Sequence, residues 1–353
     1  MGAHRVVRFS LLALVALMLG ACASQPRDQV QVGVGIAALE PAKARDYAAL
    51  YTPYAMMATA AYTDKDYLTV HHCPDPYQLG RGAAAGESAR DVEFRHTVRG
   101  WIKELGARGW RCEFGDYGAL GCPKRLGPDC KPVGGLEFHV WRRDVGGQCR
   151  EVAIAFRGTD KNDAGDWASN LRWLNRLAPK FDQYAQVQTH IQRVVRHIRS
   201  HGCGGANTQI VSAGHSLGGG LAQQAAYAAG ENGIKYVYTF DSSPVTGFFD
   251  VSEILREHST RGLGVDRAYE QGEILMLPRL VIENIFPPTP CNPQIRHVRF
   301  NLLDGKPVEQ HNIENLTREL RTVSRERGAD PRRVEASAQA RGCTPAPMIA
   351  PPA

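Results

Sequence analysis

The sequence holds no apolar run long enough to cross a bilayer comfortably. Its one pronounced run, LLALVALMLG over residues 11–20, is about half the roughly 20 residues required. It shows no internal repeat, so a solenoid or propeller is not indicated. His71, His72 and Cys73 adjoin, but no second Cys/His pair at zinc spacing accompanies them, and no metal or other cofactor is expected. The formal charge is only +6, with basic and acidic residues interspersed and no basic groove lined by aromatics. A nucleic-acid partner is therefore not expected.

The N-terminus reads as a targeting signal. Arg5 and Arg8 precede the apolar run, and no charge follows it closely. The run ends in LGAC (residues 19–22), which resembles the bacterial lipoprotein processing box. That resemblance implies Cys22 as the mature N-terminus and the lipid attachment point; an ordinary signal peptide cut near Ala23 is the alternative. Ala23 and Ser24 lack the Asp that marks inner-membrane retention in such lipoproteins. The expected location is thus the bacterial cell envelope, on the outer membrane, held by the N-terminal lipid anchor.

With Cys22 removed, the nine cysteines become an even eight: Cys73, Cys112, Cys122, Cys130, Cys149, Cys203, Cys291 and Cys343. An even count in an oxidising compartment argues for disulfides, although 105 pairings are open. Four of them fall between Cys73 and Cys130, in a stretch with too few apolar runs to close a core alone. The organisation read from the chain is a signal peptide over 1–21, a tether over 22–34 and one domain over 35–325 containing a Cys-rich insert at 71–135. A Pro/Ala-rich tail follows over 326–353.

Within the domain, AKARDYAALYTPYAMMATAAYT predicts a helix with Tyr47, Tyr51 and Tyr54 at helical spacing. LEFHVWRRD and REVAIAFRG predict a hairpin around VGGQ. FDQYAQVQTHIQRVVRHIRSH predicts an amphipathic helix ended by glycines. TQIVSAG and IKYVYTF predict strands on either side of the Ala-rich helix LGGGLAQQAAYAAG, while EILMLP and IRHVRFNL are later strand signals. NIENLTRELRTVSRERG predicts a last helix. Strands and helices alternating in this way indicate an α/β fold, a mostly parallel central sheet flanked by helices.

GHSLGGG (residues 214–220) carries the chemistry. Gly-x-Ser-x-Gly is a weak pattern among 36 glycines, but here it lies between a predicted strand and a predicted helix. A strand turning sharply into a helix at Ser216 forces the side chain out above the sheet. The turn crowds its neighbours, so Gly214 and Gly218 must be small. The helix N-terminus favours developing negative charge, and the Leu217 N–H is a candidate oxyanion donor. A serine that merely caps a helix is the plain alternative.

EVAIAFRGTD, DWASNL, IVSAGHSLGGGLA and YTFDSSPVTG together resemble successive blocks of the class 3 lipases, an α/β-hydrolase family of lipases and phospholipases. The similarity covers roughly residues 151–320. It implies Thr159 as the second oxyanion donor and a lid in the loop after it. Trp167, Leu171, Trp173 and Leu174 are available there to contact an acyl chain, with core packing the alternative for Trp167. It also implies His311 as the base, before the last helix; His297 and His258 are the other histidines considered. The third member departs from the pattern. Glu273, in YEQGEILMLPRL, stands where the family has Asp, and Asp241 replaces a family glycine one strand earlier. Glu273 is the expected acid and Asp241 its rival, ahead of Asp250 and Asp266, because a carboxylate one methylene longer still accepts from an imidazole.

The resulting expectation is a serine carboxylic-ester hydrolase, lipase- or phospholipase-like, working through an acyl-enzyme on Ser216. Its substrate would be a lipid or other ester. A catalytically silent envelope lipoprotein on the same scaffold, or a toxin-like phospholipase, are the alternatives.

Overall fold

The structure, a computed structural model, describes residues 25–118, 135–159, 182–231 and 233–334. The chain enters through β1 (Gln29–Val34) and β2 (Glu40–Lys43), an antiparallel pair, and runs into α1 (Ala44–Ala60). Helix α2 (Ala89–Ala107) and strand β3 (Trp110–Tyr117) follow, then the hairpin β4 (Glu137–Val145) and β5 (Gln148–Phe156). Next come α3 (Gln183–Ser200), β6 (Gln209–His215), α4 (Leu217–Ala228) and β7 (Tyr236–Phe240). The last described part holds α5 (Glu253–Thr260), β8 (Gly264–Glu270), α6 (Met276–Ile285), β9 (Gln294–Phe300), α7 (Pro307–Gln310) and α8 (Ile313–Val323).

The nine strands form one sheet in the order β2-β1-β9-β8-β7-β6-β5-β4-β3. From β5 through β9 the pairing is parallel, and both edges are antiparallel. The parallel centre is covered on both faces, which explains its near-continuous apolar strands. In β5, Val152, Ile154 and Phe156 join the core under α3 and α4, whereas Ala153 and Ala155 join the core under α1 and α8. The small alanines leave room for a tyrosine-rich helix. Tyr54 of α1 stacks on Tyr238 at 4.0 Å between ring centres, and Tyr51 meets Tyr238, Phe240 and Phe300. The charges buried there are paired: Arg296 with Asp266 at 2.5 Å, and Arg143 with Glu151 at 2.7 Å. Tyr51 also donates to Asp266 and Tyr54 to Glu151. Removing one member of such a pair strands a buried charge, so each pair depends on both of its partners.

Three parts of the chain differ from the sequence reading. Residues 29–34, expected in the tether, form β1, because the alternating valines of QVQVGV bury Val30, Val32 and Val34 beside β9. The Cys-rich insert, expected inside the domain, contributes a helix to the core and a strand to the sheet. Its helix α2 buries Val98, Trp101 and Leu105 in the main core, and β3 is the edge strand beyond β4. EILMLP is not a strand; Glu273 and Ile274 lie in a turn and α6 begins at Met276. The start of the expected tail is also structured, since Val334 is buried and its carbonyl accepts from Arg296.

Cys73 pairs with Cys112, tying the loop after α1 to β3, and Cys149 pairs with Cys203, tying β5 to the end of α3. Cys291 is disulfide-bonded as well. Cys22, Cys122, Cys130 and Cys343 lie outside the described residues.

Candidate active site

Strand β6 ends at His215 and α4 begins at Leu217, leaving Ser216 alone on the turn with φ 56° and ψ −125°. A non-glycine residue in that region is strained, and such strain persists only where the surroundings impose it. Here they do. A Cβ on Gly214 would come within 2.2 Å of the Gly218 carbonyl oxygen, and one on Gly218 within 2.4 Å of the Phe156 carbonyl oxygen. The turn is also tied to the neighbouring strand: the Ser216 N–H donates to Phe240 O at 3.1 Å, and the Ser243 N–H donates to Ser216 O at 2.9 Å.

Facing Ser216 is His311, buried between α7 and α8. The side chain of Asn312 caps α8 by accepting from the N–H groups of Glu314 and Asn315, so the main chain must leave its helical course at this point. The imidazole bridges two partners. Its Nε2 lies 3.1 Å from Ser216 Oγ, and its Nδ1 lies 2.7 Å from Glu273 Oε2. A neutral ring with its proton on Nδ1 satisfies both, donating to Glu273 and accepting from Ser216.

Glu273 is held from three further directions. The Leu275 N–H donates to its Oε2 at 2.8 Å, Arg279 Nη2 donates to its Oε1 at 2.5 Å, and the Ile274 N–H ties its turn to Pro307 O at 3.1 Å. Burial works to raise the Glu273 carboxyl, but Arg279 and His311 outweigh it and keep Glu273 below its ordinary value. Asp241, the rival acid, is placed elsewhere. Its Oδ1 accepts from the Glu270 N–H at 2.7 Å, and its Oδ2 has no hydrogen-bond partner among the described residues. Burial, then the Glu273 charge, push Asp241 well above the usual carboxylate range. The Arg279 charge acts against burial at both carboxyls, and at Glu273 it prevails together with His311.

Two participants were not foreseen from the sequence. His215 Nε2 donates to the His311 carbonyl at 2.9 Å, and its Nδ1 lies 2.9 Å from the Tyr62 hydroxyl. Arg279 is the other. Both stand inside stretches singled out for other residues, GHSLGG and MLPRL, and only the fold shows where their side chains go. His215, Asp241 and His311 also bring potential metal-donor atoms within 4.8 Å of one another. Each ring nitrogen of the two histidines already has a hydrogen-bond partner, so an ion would have to break the chain that links them.

The remaining expected residues are distributed as follows. Thr159 is exposed and follows Gly158, on which a Cβ would come within 2.6 Å of the His215 carbonyl oxygen. The end of β5 therefore lies against the serine turn. Leu217 is the first residue of α4, where helix geometry leaves an N–H without an intrahelical acceptor. His297 lies in β9, where burial, then Arg267 and Arg279, lower it to about 3. His258 is exposed on α5, Asp266 is committed to Arg296, and Asp250 is exposed. Trp167, Leu171, Trp173 and Leu174 lie outside the described residues.

Two solved lipases resemble this chain distantly. Lipase II from Rhizopus niveus is 14% identical with a TM-score of 0.32, the match covering 71% of this chain and 78% of that one. The Rhizomucor miehei lipase propeptide complex is 13% identical with a TM-score of 0.36, covering 75% and 76%. No curated protein matches the chain. Residues 126–276, less than half of the chain, match a phospholipase-like family described as a Tle-like phospholipase domain.

Proposed function

We propose that this protein is a serine hydrolase of carboxylic esters, with phospholipids as its favoured substrate class. The observation that carries the reading is the unbroken line from Glu273 through His311 to Ser216, at 2.7 and 3.1 Å. Ser216 Oγ attacks the ester carbonyl carbon while its proton passes to His311 Nε2. The carbonyl oxygen becomes an oxyanion, held by the backbone N–H groups of Leu217 and Thr159 and by the N-terminal end of α4. The C–O bond to the leaving group then breaks, and the His311 proton moves to the departing alkoxide oxygen. Water repeats the sequence on the acyl-enzyme and releases the acid. Ionised Glu273 fixes the tautomer of His311 and stabilises the imidazolium without taking its proton. The match to a phospholipase-like domain favours phospholipid over other esters.

The test is release of fatty acid from phospholipid vesicles by the purified chain, against a series of simple esters of increasing chain length. Release by the native protein and its loss in Ser216→Ala support the reading; release unaffected by that substitution contradicts it. We further propose attachment to the envelope through a lipid on Cys22. Labelling with an alkyne fatty acid should be lost in Cys22→Ala, and an unlabelled native protein would refute the anchor.

A further inference from the structure

Arg279 is only 4% exposed, so its charge is met by the protein and not by water. It stands one turn into α6. Its own N–H donates to the Leu275 carbonyl at 3.0 Å, and the Leu275 N–H donates to Glu273 Oε2 at 2.8 Å. The side chain turns back to the other carboxylate oxygen, with Nη2 2.5 Å from Glu273 Oε1. The start of α6 therefore holds both oxygens of the acid, and Oε2 also receives the His311 Nδ1–H.

The same guanidinium makes a second contact. Its Nε donates to the Ser242 carbonyl at 3.3 Å, and the next residue, Ser243, donates its N–H to the Ser216 carbonyl at 2.9 Å. Its Cζ lies 4.9 Å from the centre of the Tyr269 ring, so an aromatic side chain backs the fork. Acid and nucleophile are thus joined along two routes, one through His311 and one through Arg279 and the Ser242–Ser243 segment. A planar guanidinium spans two acceptors at fixed angles, which the point charge of a lysine does not reproduce.

We propose that Arg279 is a positioning residue for the reaction, fixing Glu273 against His311 and tying the acid's turn to the segment that holds the Ser216 turn. Its effect on rate rests on the esterase reading above. Around the Glu273–His311 pair stand Asp241 just after β7, Tyr269 and Glu270 at the end of β8, and His215 at the end of β6. Without Arg279, burial and the neighbouring carboxyls act on Glu273 with no guanidinium to oppose them. The pair then takes up a proton at higher pH.

The first test uses the full chain with isotope-labelled histidine and Ser216→Ala, so it needs no catalysis. The His311 signals are identified by their loss in His311→Gln, and their titration by NMR reads proton uptake by the coupled pair. Arg279→Met should raise the midpoint by about one pH unit or more, and Arg279→Lys, which keeps the charge, should return it to within about half a unit. With Ser216 in place and a soluble ester as substrate, kcat should fall roughly 10- to 100-fold in Arg279→Met with KM little changed. The acid limb of kcat/KM should move up with the NMR midpoint. Arg279→Lys should regain the limb but remain at least about threefold below native kcat, because the fork to Ser242 is gone. A folded Arg279→Met chain with the native midpoint overturns the proposal, and so does native kcat in Arg279→Lys, the variant that serves if methionine prevents folding. Failure of the esterase reading shows separately, as a native protein without Ser216-dependent ester hydrolysis, and the NMR midpoint then still decides this proposal.

Discussion

His215 Nε2 donates to the backbone carbonyl of His311 across 2.9 Å, so the residue before the serine holds the main chain of the residue that faces it. The rings of the two histidines lie 4.7 Å apart. Tyr62, just beyond α1, completes the arrangement from the other side at 2.9 Å from His215 Nδ1. Three distant parts of the chain thereby fix one imidazole, and errors of about 1 Å in such a position cost roughly a hundredfold in rate.

His215→Phe keeps an aromatic ring in place and removes both hydrogen bonds. The expected result is a fall in kcat of roughly 10- to 100-fold with KM little changed, and a smaller loss in Tyr62→Phe. Steady-state kinetics on a soluble ester checks this. Unchanged kcat in His215→Phe would show that the bond to His311 does not position the ring.

Glu273→Gln and Asp241→Asn separate the two carboxyls. The glutamine removes the charge that stabilises the imidazolium and permits the wrong tautomer, so kcat should fall by as much as about 10⁴. Asp241 accepts from the Glu270 N–H while Glu273 holds the His311 ring, and burial pushes its carboxyl up, so Asp241→Asn should be mild. The ratio of the two losses at one pH is the measurement; the reverse ranking would transfer the acid's role to Asp241.

Glu270 gives a pH test of stability. Its Oε1 accepts from the N–H groups of Leu302 and Leu303, in the segment leading to His311, and burial pushes its carboxyl up to about 8 against those backbone bonds. The folded state therefore binds more protons than the unfolded state between the ordinary glutamate range and about pH 8. The contribution is fully present at low pH and is lost as pH rises through that window, by about 1.4 kcal/mol per pH unit. Glu270→Gln retains an acceptor and cannot titrate, so its stability should fall less between pH 5 and 8. Chemical denaturation across that range checks the difference, and parallel curves would contradict it.

The sequence makes the serine turn legible because sterics dictate it: Gly214 and Gly218 are forced by contacts within a few residues of one another. His311 and Glu273 were reachable through chain order and family resemblance. The choice between Glu273 and Asp241 depends on Arg279, whose side chain reaches Glu273 only because α6 begins where a strand was expected. EILMLP is a short apolar run, and such a run does not distinguish strand from helix by periodicity. The edge strands were obscured for a related reason. Strand β3 lies in a stretch dominated by Gly, Pro and charge, and only its partner β4 reveals it. The role of His215 rests on a contact spanning 96 residues, which no local pattern encodes.

The most direct measurement of the central claim is covalent capture of the nucleophile. The purified protein is treated with a fluorophosphonate and digested, and the modified peptide is sequenced by mass spectrometry. The account predicts one adduct per chain, on Ser216, absent in Ser216→Ala and formed far more slowly in His311→Ala. An unmodified Ser216 in a protein that still releases fatty acid from phospholipid, or an adduct on a different residue that abolishes that release, would contradict it.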